Sequence, residues 1–290
     1  MPELPEVETI ARTLHPSLIG REIISAEVRW PRTIAAPSVR RFKRDIQGQA
    51  ILGVSRRAKL LHIRLTGLHL LIHLRMSGDL HVREGSARPE KHDRLILMLS
   101  DPAQNSGAAS TGVGGMVTSL VFTDARKFGR VWLTERAESV TSRLGPEPLG
   151  RAFTPQVLHD RLRQRHRRLK PLLLDQTFLA GLGNIYTDEA LHLARLHPLR
   201  SSETITKRQA ERLHAAIRSV LNQGIRRNGA SIDWVYRGGE FQNHFRVYDR
   251  SGKPCPVCGT AIRRIVVGQR VPTSALDAKG CDPWKSICWR

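Results

Sequence analysis

At Leu144-Gly145-Pro146-Glu147-Pro148-Leu149 the apolar pattern of this chain changes period, and no other feature limits its fold as strongly. Upstream, Leu61, Ile63 and Leu65 alternate with His62, Arg64 and Thr66, and after Gly67 the residues Leu70, Ile72, Leu74 and Met76 keep the same spacing of two. That period belongs to strands with one buried face, so the two runs predict a hairpin within a larger sheet. Apolar stretches at 95–99, 120–122 and 131–133 extend the sheet, and the Ser-, Gly- and Ala-rich stretch 101–115 reads as a flexible loop. Downstream, Val157, Leu158 and Leu162, then Ala210, Leu213, Ile217, Val220 and Leu221, recur at helical spacing. One helix precedes the sheet. Val7, Ile10, Ala11 and Leu14 share a helical face behind Glu3, Glu6 and Glu8, which stand where a helix N-terminus favours negative charge. From about Phe245 short strands return. The expected fold class is α+β, with a sheet domain over 1–135, a linker over 136–152, a helical domain over 153–244 and a last segment over 245–290. No internal repeat suggests a solenoid.

The 290 residues are 40% hydrophobic and 25% charged, enough apolar material for buried cores. Lys and Arg number 47 against 26 Asp and Glu, a formal charge of +21 that calls for a polyanionic partner, nucleic acid first. Apolar runs such as 70–74 fall far short of the roughly 20 residues of a spanning helix, so no membrane partner is expected. The acidic start, Met1-Pro2-Glu3-Leu4-Pro5-Glu6, has neither the basic nor the apolar region of a secretory signal, which points to the cytoplasm. All four Cys follow residue 250, too few for a disulfide scaffold in a chain this long, and Cys255 and Cys258 form a C-x-x-C knuckle that suggests a metal. No coiled coil or other dimer element is evident, so a monomer is expected.

Four sets of residues carry chemistry. Removal of Met1 would expose Pro2 as a secondary amine of low basicity, able to attack a sugar C1′ and form an iminium, with Glu3 and Glu6 as acid/base groups beside it. On these residues alone Pro2 and Pro5 more often simply start a helix, since Pro is common in a first turn. The second set is basic and partly aromatic: Arg56, Arg57 and Lys59; His73, Arg75 and Met76; His92; and Thr123-Asp-Ala-Arg-Lys-Phe-Gly129. In an extended segment Arg126 and Phe128 would project together, an Arg beside an apolar wedge of the kind that fills a gap in stacked bases. Taken singly, Met76 and Phe128 are more often core residues. In the third set, the basic run from Arg161 to Lys170 leads to Gly181, Gly183 and Asn184, which break a helix and restart one; the new N-terminus and the Asn184 amide could meet a phosphate, or form an ordinary interhelical turn. The fourth set, Cys255-Pro-Val-Cys258, is half a zinc site that needs a second thiolate pair. Cys281 and Cys288 are the remaining thiols; 22 residues separate Cys281 from Cys258, and six separate Cys288 from Cys281.

In this order the four sets resemble the bacterial formamidopyrimidine-DNA glycosylase family over almost the whole chain. Met1-Pro-Glu-Leu-Pro-Glu-Val-Glu-Thr9 resembles its N-terminal signature, and Leu4 and Val7 favour this branch over the sister endonuclease VIII branch. Asp175-Gln-Thr-Phe-Leu-Ala-Gly-Leu-Gly-Asn-Ile-Tyr186 is similar to its helix–two-turns–helix element, and Phe241-Gln-Asn-His-Phe-Arg-Val-Tyr248 with Gly252-Lys-Pro-Cys255 to the approach to its zinc finger.

The resemblance implies an N-terminal β-sandwich with a leading helix, a helix–two-turns–helix domain, and a C-terminal β-hairpin finger holding one zinc ion. It implies a base-excision repair enzyme that flips 8-oxoguanine and formamidopyrimidines out of double-stranded DNA, removes them, and nicks the abasic strand by β,δ-elimination at the nucleoid. Pro2 would be the Schiff-base nucleophile, Glu3 the acid/base residue and Lys59 the catalytic lysine. His92 and Arg126 would contact DNA, Met76, Arg126 and Phe128 would fill the void, and Asn184 would bind phosphate. Arg270, in Gly268-Gln269-Arg270, would be the finger arginine that grips phosphate and donates a proton in δ-elimination.

Two departures from the family pattern stand out. Its second Cys pair falls on Ala275 and Ala278, separated from Cys258 by 16 residues and from each other by two. A shifted reading frame after Val271, a finger without metal, and substitution by Cys281 and Cys288 are the three readings, in that order. The stretch between Ser231-Ile232 and Phe241-Gln242, where the flipped purine is capped, is short for the family, which leaves preference for oxidised pyrimidines as an alternative. A DNA-binding protein without catalysis, and an RNA- or ribosome-associated basic protein, are the alternatives of other classes; the last leaves Pro2, Glu3 and Lys59 together unexplained.

Overall fold

The computed structural model describes residues 1–85, 88–100, 118–231, 238–266 and 272–274. The chain divides into two compact units, the first comprising Met1–Arg143 and the second Leu144–Ala230 with the residues from Gly238 onward.

The first unit begins with helix α1, Leu4–Leu18. Its heptad-like apolar set, Val7, Ile10, Ala11, Leu14 and Leu18, is fully buried, and Glu3 caps its start with a backbone N–H that donates to the Glu6 carboxylate at 2.8 Å. Nine strands follow: β1 (Ile23–Val28), β2 (Ile34–Ala36), β3 (Ile51–Arg57), β4 (Leu60–Leu65), β5 (His69–His73), β6 (Gly78–Glu84), β7 (Asp93–Leu99), β8 (Thr118–Asp124) and β9 (Arg130–Thr134). Helix α2, Val39–Ile46, sits between β2 and β3. The strands form two sheets, ordered β1-β7-β8-β6 and β2-β9-β5-β4-β3. Leu80, Leu95, Leu97, Leu120 and Phe122 of the first meet Val54, Leu61, Ile63, Leu70, Ile72 and Val131 of the second in one core that also takes the apolar face of α1. This is the expected β-sandwich with its leading helix. A short helix α3, Glu138–Thr141, lies near the end of the unit, within the span 136–152 expected as a linker.

The expected hairpin is present, with Leu61 paired to Ile72 and Ile63 to Leu70 in antiparallel β4 and β5. Its reach needs correction. β5 ends at His73, Arg75 adopts a left-handed φ of 57°, and Met76 leaves the buried face of Leu70, Ile72 and Leu74 to stand 39% exposed. Alternation through Met76 had suggested a longer strand; the turn at Arg75 reverses the chain before that residue. Leu71 is as buried as Leu70 and Ile72, so both faces of β5 are covered at this point.

The second unit holds α4 (Pro155–Arg163), α5 (Leu169–Leu174), α6 (Asn184–Ala194) and α7 (Lys207–Arg226). α7 buries Ala210, Leu213, Ile217, Val220 and Leu221, the set spaced at the helical period, and Thr206 opens it in a capping box with Gln209. Beyond α7, the strands β10 (Arg264–Val266) and β11 (Pro272–Ser274) pair antiparallel. The expected loop at 101–115 and residues 232–237 of the stretch expected to cap the purine lie outside the described residues, as do Arg270, Ala275, Ala278, Cys281 and Cys288.

Candidate active site and nucleic-acid contacts

The terminal cluster is built by α1 and the β3–β4 hairpin. Pro2 is buried, Glu3 and Glu6 are each 2% exposed, and Lys59 is 5% exposed. Lys59 occupies the two-residue turn between Arg57 and Leu60, which pair across the hairpin; Ala58 beside it takes a left-handed φ of 54°. Burial pushes the Lys59 ammonium below the usual lysine range, and the negative charges of Glu3 and Glu6 pull it part of the way back. The structure therefore brings together an amine on a hairpin tip and two carboxylates at the chain terminus, more than 50 residues away in sequence. Such a set can hold and pass protons beside a terminal nucleophile. His73 lies near by: burial first, then the charges of Arg75 and Lys59, push its imidazole down to about 3, and its Nδ1 accepts the Arg75 N–H at 3.0 Å.

Around Asp124 the structure gathers four of the residues expected to touch DNA. Phe128 is 49% exposed and Met76 39% exposed, so neither belongs to the core. Arg126 and Phe128 do meet, with the Arg126 guanidinium 5.0 Å from the centre of the Phe128 ring, but the extended backbone expected of this segment is not found. Lys127 takes a left-handed φ of 61°, and the turn, rather than an alternating strand, directs both side chains. The Lys127 ammonium in turn lies 4.1 Å from the centre of the Trp30 ring. His92 is exposed at the start of β7, its carbonyl accepting the Asp124 N–H at 2.9 Å. Sequence reasoning singled out Arg126 and Phe128 in this motif and passed over Asp124; an Asp two residues before an Arg was the available signal, since its carboxylate can accept that residue's N–H.

In the second unit, the segment between α5 and α6 is held from within. Gln176 donates Nε2 to the carbonyls of Leu174 and Leu182, and its Oε1 accepts the Gly181 N–H at 2.8 Å. Arg161 donates to the carbonyls of Thr177 and Phe178. Asn184 then opens α6, and its side-chain Oδ1 is buried without a hydrogen-bond partner. A helix start suits an anionic ligand through its N–H groups, and of the Asn184 amide only Nδ2 is a donor to one.

Cys255 and Cys258 flank a turn in which the Cys255 Sγ accepts the Val257 N–H at 3.4 Å and the Cys255 carbonyl accepts the Gly259 N–H at 2.8 Å. Two thiols brought together on one tight turn are the half-site of a zinc finger, so this half of the finger fits zinc. Among the described residues no group of three His, Cys, Asp or Glu side chains stands ready to hold a metal.

A β-sandwich with a buried lysine facing two terminal glutamates, together with a helix–two-turns–helix unit and a thiol knuckle, has the make-up of a nucleic-acid enzyme. Comparison with known proteins gives the particular family. The formamidopyrimidine-DNA glycosylase N-terminal domain matches residues 1–131, the H2TH domain of the same glycosylases matches 144–235, and a zinc finger found in these proteins and in isoleucyl-tRNA synthetase matches 252–273. The formamidopyrimidine-DNA glycosylase of Chloroflexus aggregans is 47% identical over 278 residues, covering 93% of this chain and 95% of its own. That of Pelotomaculum thermopropionicum is 45% identical over 279 residues, covering 93% and 96%. The Lactococcus lactis enzyme non-covalently bound to DNA containing an abasic site superposes with a TM-score of 0.83 at 34% identity, covering 94% of this chain and 97% of its own. The chain belongs to the formamidopyrimidine-DNA glycosylase family. It contains the family's zinc-finger domain, and no helix among its described residues is long and apolar enough to cross a membrane.

Proposed function

We propose that this protein is a bifunctional DNA glycosylase and abasic-site lyase that removes oxidised purines, 8-oxoguanine and formamidopyrimidines, from duplex DNA in the cytoplasm. The buried placement of Lys59 opposite Glu6 and Glu3, of which Glu3 is the residue next to Pro2, carries this reading. After removal of Met1, the Pro2 amine attacks C1′ of the flipped nucleotide. The C1′–N9 bond breaks, its electron pair leaves with the base, and protonation of the departing base is assigned to the Glu3–Lys59 cluster. Displacement of the base leaves C1′ bonded to the Pro2 nitrogen and to O4′; the nitrogen loses its proton, the C1′–O4′ bond breaks with O4′ taking a proton, and the ring-opened iminium acidifies C2′–H, whose loss expels the 3′-phosphate before a second elimination expels the 5′-phosphate. Arg270 is assigned the proton donation in that second step.

Met76, Arg126 and Phe128 fill the gap left by the flipped base, His92 and Arg126 contact the strands, and Asn184 binds a backbone phosphate. Relatives named for this activity, and the Lactococcus lactis enzyme in complex with DNA containing FAPY-dG, support the substrate class. One zinc ion belongs to the finger, with Cys255 and Cys258 as two ligands and Cys281 and Cys288 as the remaining thiols; its chemistry is to hold the hairpin that bears Arg270.

Borohydride trapping on a duplex with a single 8-oxoguanine tests the reading. A covalent band from the wild type that is absent with Pro2→Gly, and weakened with Glu3→Gln, is the expected result. A wild-type protein that binds this duplex without trapping would show that it binds DNA but does not act on it. Thymine-glycol duplex run alongside distinguishes purine from pyrimidine preference.

A further inference from the structure

We propose that Asp124 is a positioning residue that locks the two loops bearing Met76, Arg126 and Phe128 into a single preformed wedge, an inference that rests on the glycosylase reading above. Asp124 ends β8 and is 1% exposed. Its carboxylate serves both loops. Oδ1 accepts from the Ser77 hydroxyl, 47 residues back, and from the Arg126 N–H at 3.1 Å; Oδ2 accepts from the Gly129 N–H at 2.7 Å. Ser77 closes the circuit by accepting the same Arg126 N–H at 3.1 Å. The backbone of Asp124 holds a third segment, donating its N–H to the His92 carbonyl and accepting Arg94 Nε at 2.7 Å, with Arg94 itself 8% exposed.

Such a buried carboxylate exceeds what a turn needs. An Asp that merely shaped the 124–129 turn would bond to Arg126 and Gly129; the Ser77 bond adds the other loop. The surrounding packing enforces the same geometry. Gly78 pairs with Asp124 across β6 and β8, and a Cβ on Gly78 would collide with the Leu74 carbonyl and the Phe122 ring. A Cβ on Gly129 would collide with the same ring from the other loop. Phe122 and Asp124 are thus shared floor and shared fastener for both loops, while the side chains they present, Met76 and Phe128, are among the few large apolar groups left exposed.

The consequence is kinetic. A wedge that enters the base stack as a rigid body does not lose loop freedom while the base is leaving, so preorganisation lowers the barrier to flipping. A preformed abasic site has no base to expel and draws on this device much less.

Single-turnover rates of full-length wild type and Asp124→Asn on two duplexes, one with 8-oxoguanine and one with a preformed abasic site, test the proposal. Asn keeps the size but turns one acceptor into a donor that faces N–H or O–H groups, so one loop is released. Excision is expected to fall at least tenfold and cleavage of the abasic duplex less than threefold. Parallel losses on both duplexes, or no loss on either, would overturn the assignment. Ser77→Ala removes only the inter-loop bond and should show the same asymmetry at about threefold, which keeps the test decisive if Asp124→Asn does not fold; equal rates for Ser77→Ala and wild type on 8-oxoguanine would then overturn it. A wild-type protein inactive on both duplexes would instead refute the glycosylase reading and the positioning role with it.

Discussion

Arg56 donates Nε to the Glu8 carboxylate at 3.0 Å and Nη1 to the Ala58 carbonyl at 3.2 Å, so one guanidinium straps α1 to the turn that carries Lys59. The Arg56 side chain is 9% exposed, and the pair is worth more than a surface ion pair because solvent screens it little. Arg56→Ala is expected to cost about 1–3 kcal/mol of stability, since Glu8 keeps Arg12 at 2.7 Å, and to slow excision through a displaced Lys59. Chemical denaturation and single-turnover kinetics on the same preparation check both effects; Arg56→Lys should restore part of the stability and less of the rate, since a lysine cannot bond both partners from one plane.

Lys170 and Asp188 form an ion pair at 2.6 Å between α5 and α6, with side chains 1% and 2% exposed. Asp188→Ala strands a buried ammonium and is expected to destabilise by about 3–5 kcal/mol, whereas Lys170→Met with Asp188→Leu should be far milder than either single change. Unfolding midpoints of the three variants provide the comparison. Additive losses would show that the two charges do not compensate each other.

Glu189, 1% exposed on α6, accepts the backbone N–H groups of Arg246, Val247 and Tyr248 at 2.9–3.0 Å. Glu189→Ala leaves three donors without an acceptor, at about 1–3 kcal/mol each. Amide hydrogen exchange should quicken at least tenfold at 246–248 while protection within α7 persists. Uniform exchange across the unit would mean that the carboxylate supports the whole helical core and not the segment leading to the finger.

His73 contributes an acid-sensitive stability. Its folded imidazole is held down to about 3, against 6.5 for an unperturbed His, so the folded state keeps it neutral while the unfolded chain binds a proton below 6.5. The contribution is intact above that value and is lost as pH falls through the window from 6.5 towards 3, at a slope of at most about 1.4 kcal/mol per pH unit. His73→Gln, which can still accept the Arg75 N–H, should flatten the acid limb of a stability-against-pH profile between pH 6 and 4. Superimposable profiles would exclude His73 as the source.

Much of this protein was legible in its residue order because the relevant physics is local. Alternation predicts β4 and β5, helical spacing predicts the buried faces of α1 and α7, and a glycine-rich break before Asn184 predicts the restart of a helix there. The chemistry of Pro2, Glu3 and Lys59 could also be named, since reactivity belongs first to residue type. Tertiary structure decided which of these groups meet. Lys59 faces Glu3 and Glu6 only because α1 packs on the β3–β4 hairpin, and burial there, invisible in the order of residues, sets the direction in which its ammonium shifts. The exposed Met76 and the turned, not extended, Arg126-Lys127-Phe128 arise from left-handed backbone at Arg75 and Lys127, which neighbouring packing imposes on residues with no preference for it. Asp124 and Ser77 lie 47 residues apart, and only the register that sets Gly78 opposite Asp124 gives them one hydrogen bond. Periodicity and side-chain chemistry act over a few residues, whereas pairing across a sandwich depends on every strand between.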